Sequence, residues 1–222
     1  MFRDRREAGE RLAERLVERL GSHGAQHPVV VGLPRGGVEV AAAVADGLRA
    51  PLDIVVVRKL GCPWQPELGI GAIAEGGVRI LNDPLVADLR ISSADLAAVT
   101  EREQEELERR VARYRRGRPP VELAGRAVIV VDDGLATGYT ARAAIKAVRA
   151  AGASRVILAV PVAPVESVVA LGGVADEVVA LDTPPLFFAI GEFYRDFGQL
   201  SDEAVCAILD AAPARETRSP QR

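Results

Sequence analysis

Apolar and polar positions along this chain follow two rhythms, and the rhythms take turns. Residues 7–20 repeat at helical spacing, with Leu12, Leu16 and Leu20 on one stripe and Arg and Glu between them. After a breaker-rich stretch, residues 28–33 form a continuous apolar run, the pattern of a strand buried on both faces. A helix over 38–48 and a second strand over 52–57 follow, the latter closed by a charged turn at 58–61. Residues 69–82 predict two short strands around Gly76 and Gly77. Ser92 or Ser93 opens a long helix to about Arg116, with Asp95 completing a capping signal. Strand-like runs recur at 128–131, 156–160 and 178–181, with helices between them at 141–151 and 165–171 and a last one at 202–211. Alternating strands and helices favour one α/β unit over residues 1–212. Its sheet should be mostly parallel and twisted, flanked by helices. Residues 213–222, rich in Pro and Arg, read as a flexible tail.

Composition narrows the class. The chain has 222 residues, 49% hydrophobic and 27% charged, which suits an ordinary folded core. A net charge of −3 gives no global basic field, so nucleic acid is not the expected partner. Cys62 and Cys206 lie far apart with no metal-type spacing, which points to neither a disulfide framework nor a zinc site and fits a reducing cytoplasm. No apolar run reaches the length of a membrane span, and the charged start has no signal core.

The strongest chemical signal starts where the strand at 128–131 ends. It delivers Asp132 and Asp133 to the sheet edge at which open α/β sheets hold ligands. A loop of small residues follows, Ala136, Thr137, Gly138, Tyr139 and Thr140, and then a helix. Amides and hydroxyls at a helix start form an anion cradle, and neighbouring acids can accept from sugar hydroxyls. Together they suit a sugar phosphate. A second strand–turn–helix junction carries Arg35, Gly36 and Gly37, where glycines permit positive φ and close backbone approach. Taken alone, that turn is ordinary.

The stretch 128–140 resembles the phosphoribosyl pyrophosphate (PRPP) signature of type I phosphoribosyltransferases, with Gly134 in place of the family's usual aliphatic residue. The resemblance implies that Asp132 and Asp133 grip the ribose 2′- and 3′-hydroxyls and that residues 136–140 hold the 5′-phosphate. It implies Mg²⁺ between diphosphate and ribose hydroxyls, reached by the two acids mostly through those hydroxyls. Arg35, Gly36 and Gly37 resemble the family's pyrophosphate loop, which often contains a non-proline cis peptide. Arg58 and Lys59 resemble the pair that meets pyrophosphate, and Lys59 and Arg35 are the first candidates for stabilising its departure. Residues 62–82 occupy the place of a loop that closes over the sugar, putting Glu75 at a base-assisting position. A small hood is expected at about 183–200 together with the N-terminal part. There Phe187, Phe193 and Tyr194 are candidates for stacking on a base. The helix at 93–116 is a long insertion with acids first and arginines last.

The expected activity is therefore transfer of ribose 5-phosphate from PRPP to a nucleobase, purine-like rather than orotate, releasing pyrophosphate, in a homodimer. Ala136 leaves vacant the aspartate that 6-oxopurine enzymes use as base. The rival reading is a PRPP-sensing regulator that binds RNA or a protein through the arginines at 109–116.

Overall fold

The computed structural model describes residues 1–21 and 28–212. In chain order the first elements are helix α1 (Arg5–Gly21), strand β1 (Val29–Gly32), helix α2 (Gly36–Leu48) and strand β2 (Leu52–Ile54). Next come β3 (Val57–Cys62), β4 (Gln65–Ala74), β5 (Val78–Leu81) and helices α3 (Asp83–Asp88) and α4 (Ser93–Arg115). The rest is β6 (Ala127–Val131), α5 (Tyr139–Ala150), β7 (Arg155–Val162), α6 (Val165–Gly172), β8 (Glu177–Asp182) and α7 (Asp202–Ala211). Five strands form an all-parallel sheet in the order β2-β1-β6-β7-β8. The apolar runs are continuous because both faces are covered. Val30, Ile129, Val131, Ile157 and Ala159 pack against α1 and α2. Their neighbours Val29, Val31, Val128, Val130, Val156 and Leu158 pack against α5 and α6.

One expected strand is two. The run at 52–57 leaves the parallel sheet after Ile54 and starts a separate antiparallel sheet at Val57, in the order β3-β4-β5. Arg58 and Lys59 therefore lie in a strand and not in a turn. The two short strands expected around Gly76 and Gly77 are β4 and β5, joined by a 3₁₀ turn at Glu75–Gly77, so the segment 62–82 that the resemblance made a closing loop is mostly strand. Its alternation was legible, but the length of β4 was not, because Gly69 and Gly71 interrupt the apolar pattern. The six-residue α3, capped by the Asn82 side chain, is too short to show a helical period.

Helix α4 lies over this second sheet and meets α7. Leu107, Tyr114, Leu60, Ile70 and Val205 share one buried cluster. The predicted cap is present: Ser92 Oγ accepts from the Asp95 amide at 3.1 Å and donates to the Asp95 carboxylate at 2.6 Å. The arginine end is tied down within the chain. Arg109 and Arg110 both pair with Glu106, at 2.6 and 2.7 Å, and hold its carboxyl down at about 2. Arg113 pairs with Asp202 and Glu203, and Arg116 with Asp210. Tyr114 donates to Asp202 at 2.7 Å, and burial with that carboxylate pushes its phenol up to about 12. Arg113, Tyr114 and Arg116 thus join α4 to α7, while Arg109 and Arg110 pair within α4.

The segment at 193–197, within the expected hood, meets the N-terminal residues. The Phe2 amide donates to the Phe193 carbonyl at 2.7 Å, and the Arg195 amide donates to the Phe2 carbonyl at 2.9 Å. Phe2, Tyr194 and Phe197 form a ring cluster beside the start of α1. The expected tail, 213–222, lies outside the described residues.

Candidate functional site

The two motif loops leave adjacent strands in register. Gly32 of β1 sits opposite Val131 of β6, and the Leu33 amide donates to the Val131 carbonyl at 3.0 Å. The β1–α2 turn and the acid pair therefore emerge side by side at the carboxyl edge of the sheet, where parallel α/β folds bind ligands. The glycines are required by contact. A Cβ on Gly36 would lie 1.9 Å from Asp133 Oδ2, and one on Gly37 would lie 2.9 Å from both Asp132 Cα and Asp132 Oδ1. Neither glycine has the positive φ expected for it; close approach alone explains both. The Pro34–Arg35 peptide is cis, within the stretch expected to hold such a bond.

Helices α2 and α5, which open from the two motif loops, begin without a side-chain cap. Of the others, α3, α4 and α7 are capped by Asn82, Ser92 and Ser201, while α6 also starts without a side-chain cap. Uncapped first-turn amides are donors for an anion. Helix α5 starts at Tyr139, two residues earlier than expected, from Gly138 at φ 73°. Ala136, Thr137 and Thr140 are exposed on this loop. Ser167 Oγ donates to the Ala136 carbonyl at 2.7 Å, and Asn82 Nδ2 donates to Tyr139 Oη at 2.8 Å, fixing the loop from two sides. Gly134, the departure from the family pattern, has a packing reason. A Cβ there would meet Ile190 at 2.6 Å, so glycine admits the hood segment over the loop.

The acids share one environment. Asp132 Oδ1 accepts from the Asp133 amide at 2.9 Å. Burial, then the neighbouring Asp133 charge, drives the Asp132 carboxyl well above its usual range. Burial also raises Asp133, against the pull of a guanidinium that sequence reading missed: Arg5 Nε donates to Asp133 Oδ2 at 2.8 Å. Nothing in the N-terminal charge pattern marks Arg5 out, because its partner is 128 residues away.

The cations do not converge. Residues 58 and 59 point to opposite faces of β3, as successive strand residues must. Arg58 reaches α4 and pairs with Glu103 at 2.6 Å, away from the acid pair. Lys59 lies on the face shared with Val57 and α5, half exposed, donating to the Glu67 carbonyl at 3.1 Å. Arg35 is exposed at the turn, with Asp202 4.0 Å away. Of the expected set, Arg35 and Lys59 stay free enough to meet a ligand.

Glu75 is engaged elsewhere. One oxygen accepts from the Val56 amide at 2.8 Å, the other from Arg115 at 3.0 Å, and Arg115 also binds Asp53 at 2.9 Å. A carboxylate held at both oxygens is a brace between the β2–β3 link, the turn after β4 and α4, not a waiting base. Glu75→Gln is therefore expected to lower stability by about 1–2 kcal/mol through the weakened charged bond, read from urea midpoints, with no change in ligand affinity. A tenfold fall in turnover at unchanged stability would restore the base-assisting role.

The aromatic trio separates. Phe187 and Phe193 stack at 5.4 Å with 16° between planes, both partly exposed. Tyr194 is 5% exposed, packs on Phe2 and Phe197, and donates to the Asp133 carbonyl at 2.7 Å. It offers no ring face and instead supports the acid pair from below. Among the described residues, no group of three or more His, Cys, Asp or Glu is arranged to hold a metal ion, and no helix is long and apolar enough to cross a membrane.

A family model for the phosphoribosyl transferase domain matches residues 4–179. That span contains the acid pair, both motif loops and Arg5. Two proteins of Mycobacterium tuberculosis, strains CDC 1551 and H37Rv, carry the name of a phosphoribosyl transferase and are each 53% identical over 212 residues. The match covers 96% of this chain and 47% of theirs, so the chain spans about half the length of these relatives. The crystal structure of TT1426 from Thermus thermophilus is 47% identical, with 94% of this chain and 97% of that one covered at a TM-score of 0.79. A model covering most of the chain, relatives at this identity, and the acid pair and loop in their strand–loop–helix setting agree: the chain belongs to the phosphoribosyl transferase domain family.

Proposed function

We propose that the chain binds PRPP across the β1–α2 and β6–α5 loops and transfers its ribose 5-phosphate to a nucleobase, releasing pyrophosphate. One observation carries this reading. The Gly36–Gly37 backbone lies against the Asp132–Asp133 carboxylates, so a diphosphate on one loop and a sugar on the other share a single ligand-sized edge. Asp132 and Asp133 accept from the ribose hydroxyls, and the amides at the start of α5, with Thr137 and Thr140, take the 5′-phosphate. Arg35 and Lys59 stabilise the charge that builds on the departing diphosphate. A ring nitrogen of the base forms the new bond to the anomeric carbon as the bond to diphosphate oxygen breaks, with inversion, and the nitrogen's proton passes to solvent.

Asp132 and Asp133 are the carboxylates that would face a magnesium ion, and Asp133 is already bound by Arg5, so the residues fit an ion held mainly by the substrate. Such an ion would neutralise charge on the leaving group.

The partly exposed Phe187–Phe193 stack beside the hood is the surface a planar base would use. Orotate calls for a cation near the base, and Arg195 alone supplies one in this aromatic segment, so a purine-like base is the better acceptor. The regulator reading would use the arginines at 109–116, and a partner there would have to compete with the pairs that Arg109, Arg110, Arg113, Arg115 and Arg116 make within the chain. Calorimetry with PRPP and Mg²⁺ should give about −5 to −8 kcal/mol, and a nucleobase panel should release pyrophosphate with a purine. No heat with PRPP, or turnover confined to orotate, overturns the respective half of the reading.

A further inference from the structure

Arg5 is 7% exposed, unusual for an arginine, and every contact it makes is directed. Its Nε donates to Asp133 Oδ2 at 2.8 Å, its Nη1 donates to the Gly198 carbonyl at 2.8 Å, and its guanidinium lies 3.9 Å over the Phe197 ring. The head group is thus fixed between the hood segment and the acid pair, and the built Cβ of Gly36 comes within 3.0 Å of its Nε. Two adjacent carboxylates in a partly buried edge repel each other and are costly to keep charged. A cation that binds one of them in a set direction offsets part of that repulsion and fixes the carboxylate's orientation.

We propose that Arg5 is a positioning residue of the sugar site, holding the Asp133 carboxylate so that its remaining acceptor capacity faces a ribose hydroxyl. The inference rests on the PRPP reading above and extends it to a residue outside both motif loops. Because Arg5 also binds the Gly198 carbonyl and Phe197, it couples the placement of the hood segment to the acid pair. Placement of the hood segment and orientation of the Asp133 carboxylate are then one arrangement. Arg5 acts through Asp133; its Nε packs against Gly36, but its hydrogen bonds go to Asp133 and Gly198 and not to the diphosphate loop, so its polar effect falls on ligands carrying the sugar.

Affinities of ribose 5-phosphate, PRPP·Mg²⁺ and pyrophosphate·Mg²⁺ for the parent, Arg5→Met, Arg5→Lys, Asp133→Asn and the Arg5→Met/Asp133→Asn double variant test this. Arg5→Met should weaken both sugar ligands by about 10–100-fold, the loss of one charged contact, and leave pyrophosphate within about twofold. Arg5→Lys, which keeps the charge without the fork, should fall between parent and Arg5→Met and serves where Arg5→Met fails to fold. On the Asp133→Asn background, Arg5→Met should cause no further loss. Equal weakening of all three ligands, additive losses in the double variant, or parent-like sugar affinity in Arg5→Met overturns the role. A parent that binds pyrophosphate but neither sugar ligand, or none of the three, refutes the PRPP reading itself and this role with it.

Discussion

Asparagine at both Asp132 and Asp133 is expected to abolish PRPP binding, a fall of about 10²–10⁴-fold, because each acid supplies a charged hydrogen bond worth about 1.5–3 kcal/mol. The single variants should separate binding from stability. Asp132 is partly buried beside Asp133, and its folded-state proton affinity lies well above the usual value of 3.8. A carboxyl raised by folding weakens the fold while ionised. Asp132→Asn keeps the oxygen that accepts from the Asp133 amide and removes the charge, so this variant should be more stable than the parent at neutral pH. The difference should close on acidification through the raised folded value towards 3.8, where the parent regains its proton. Asp133→Asn should go the other way. It leaves the Arg5 guanidinium buried without its acid, and breaking such a pair costs about 3 kcal/mol. Urea midpoints at pH 7 and pH 5 distinguish the two. If Asp132→Asn were less stable than the parent at pH 7, the strain assigned to the acid pair would be absent.

Gly36→Ala is expected to damage binding and stability together. The added carbon would stand 1.9 Å from Asp133 Oδ2 and 2.6 Å from its Cγ, so the carboxylate must move by more than an ångström or the turn must shift. The Asp133 side chain cannot retreat freely, since Arg5 holds its oxygen and Tyr194 holds its carbonyl. A misplacement of about 1 Å at a binding group costs about 10²-fold in rate, and the overpacking itself costs about 1–3 kcal/mol. PRPP calorimetry together with a thermal melt reads both effects. Gly36→Ala with parent-like affinity and midpoint would show that the two loops are not in contact in solution.

The sequence by itself determined the parallel sheet and the chemical identity of its edge. Buried strands of Val and Ile at 29–32, 127–131 and 155–162 can satisfy both faces only between helices, and the acid pair with its small-residue loop is written in consecutive residues. Helix α4 was also legible, because a capping Ser92 and a charge order matched to the helix dipole are local signals. Everything that depends on distant partners was decided by the tertiary structure. Val55 and Val56 look like strand in sequence, but the sheet changes there, which puts Arg58 and Lys59 on opposite faces. Glu75 and the arginines of α4 carry charges that suit a site or a surface equally, and only Arg115, Asp53, Asp202 and Asp210 show that they brace the fold. Tyr194 and Phe193 are neighbours in an aromatic run, yet Tyr194 is buried beside Phe2 while Phe193 stacks on Phe187 towards solvent. Arg5 is one arginine among several at the chain start, and 128 residues of chain had to fold before it met Asp133. Backbone pattern is a property of neighbours along the chain, whereas the use of a charge depends on what folding places opposite it.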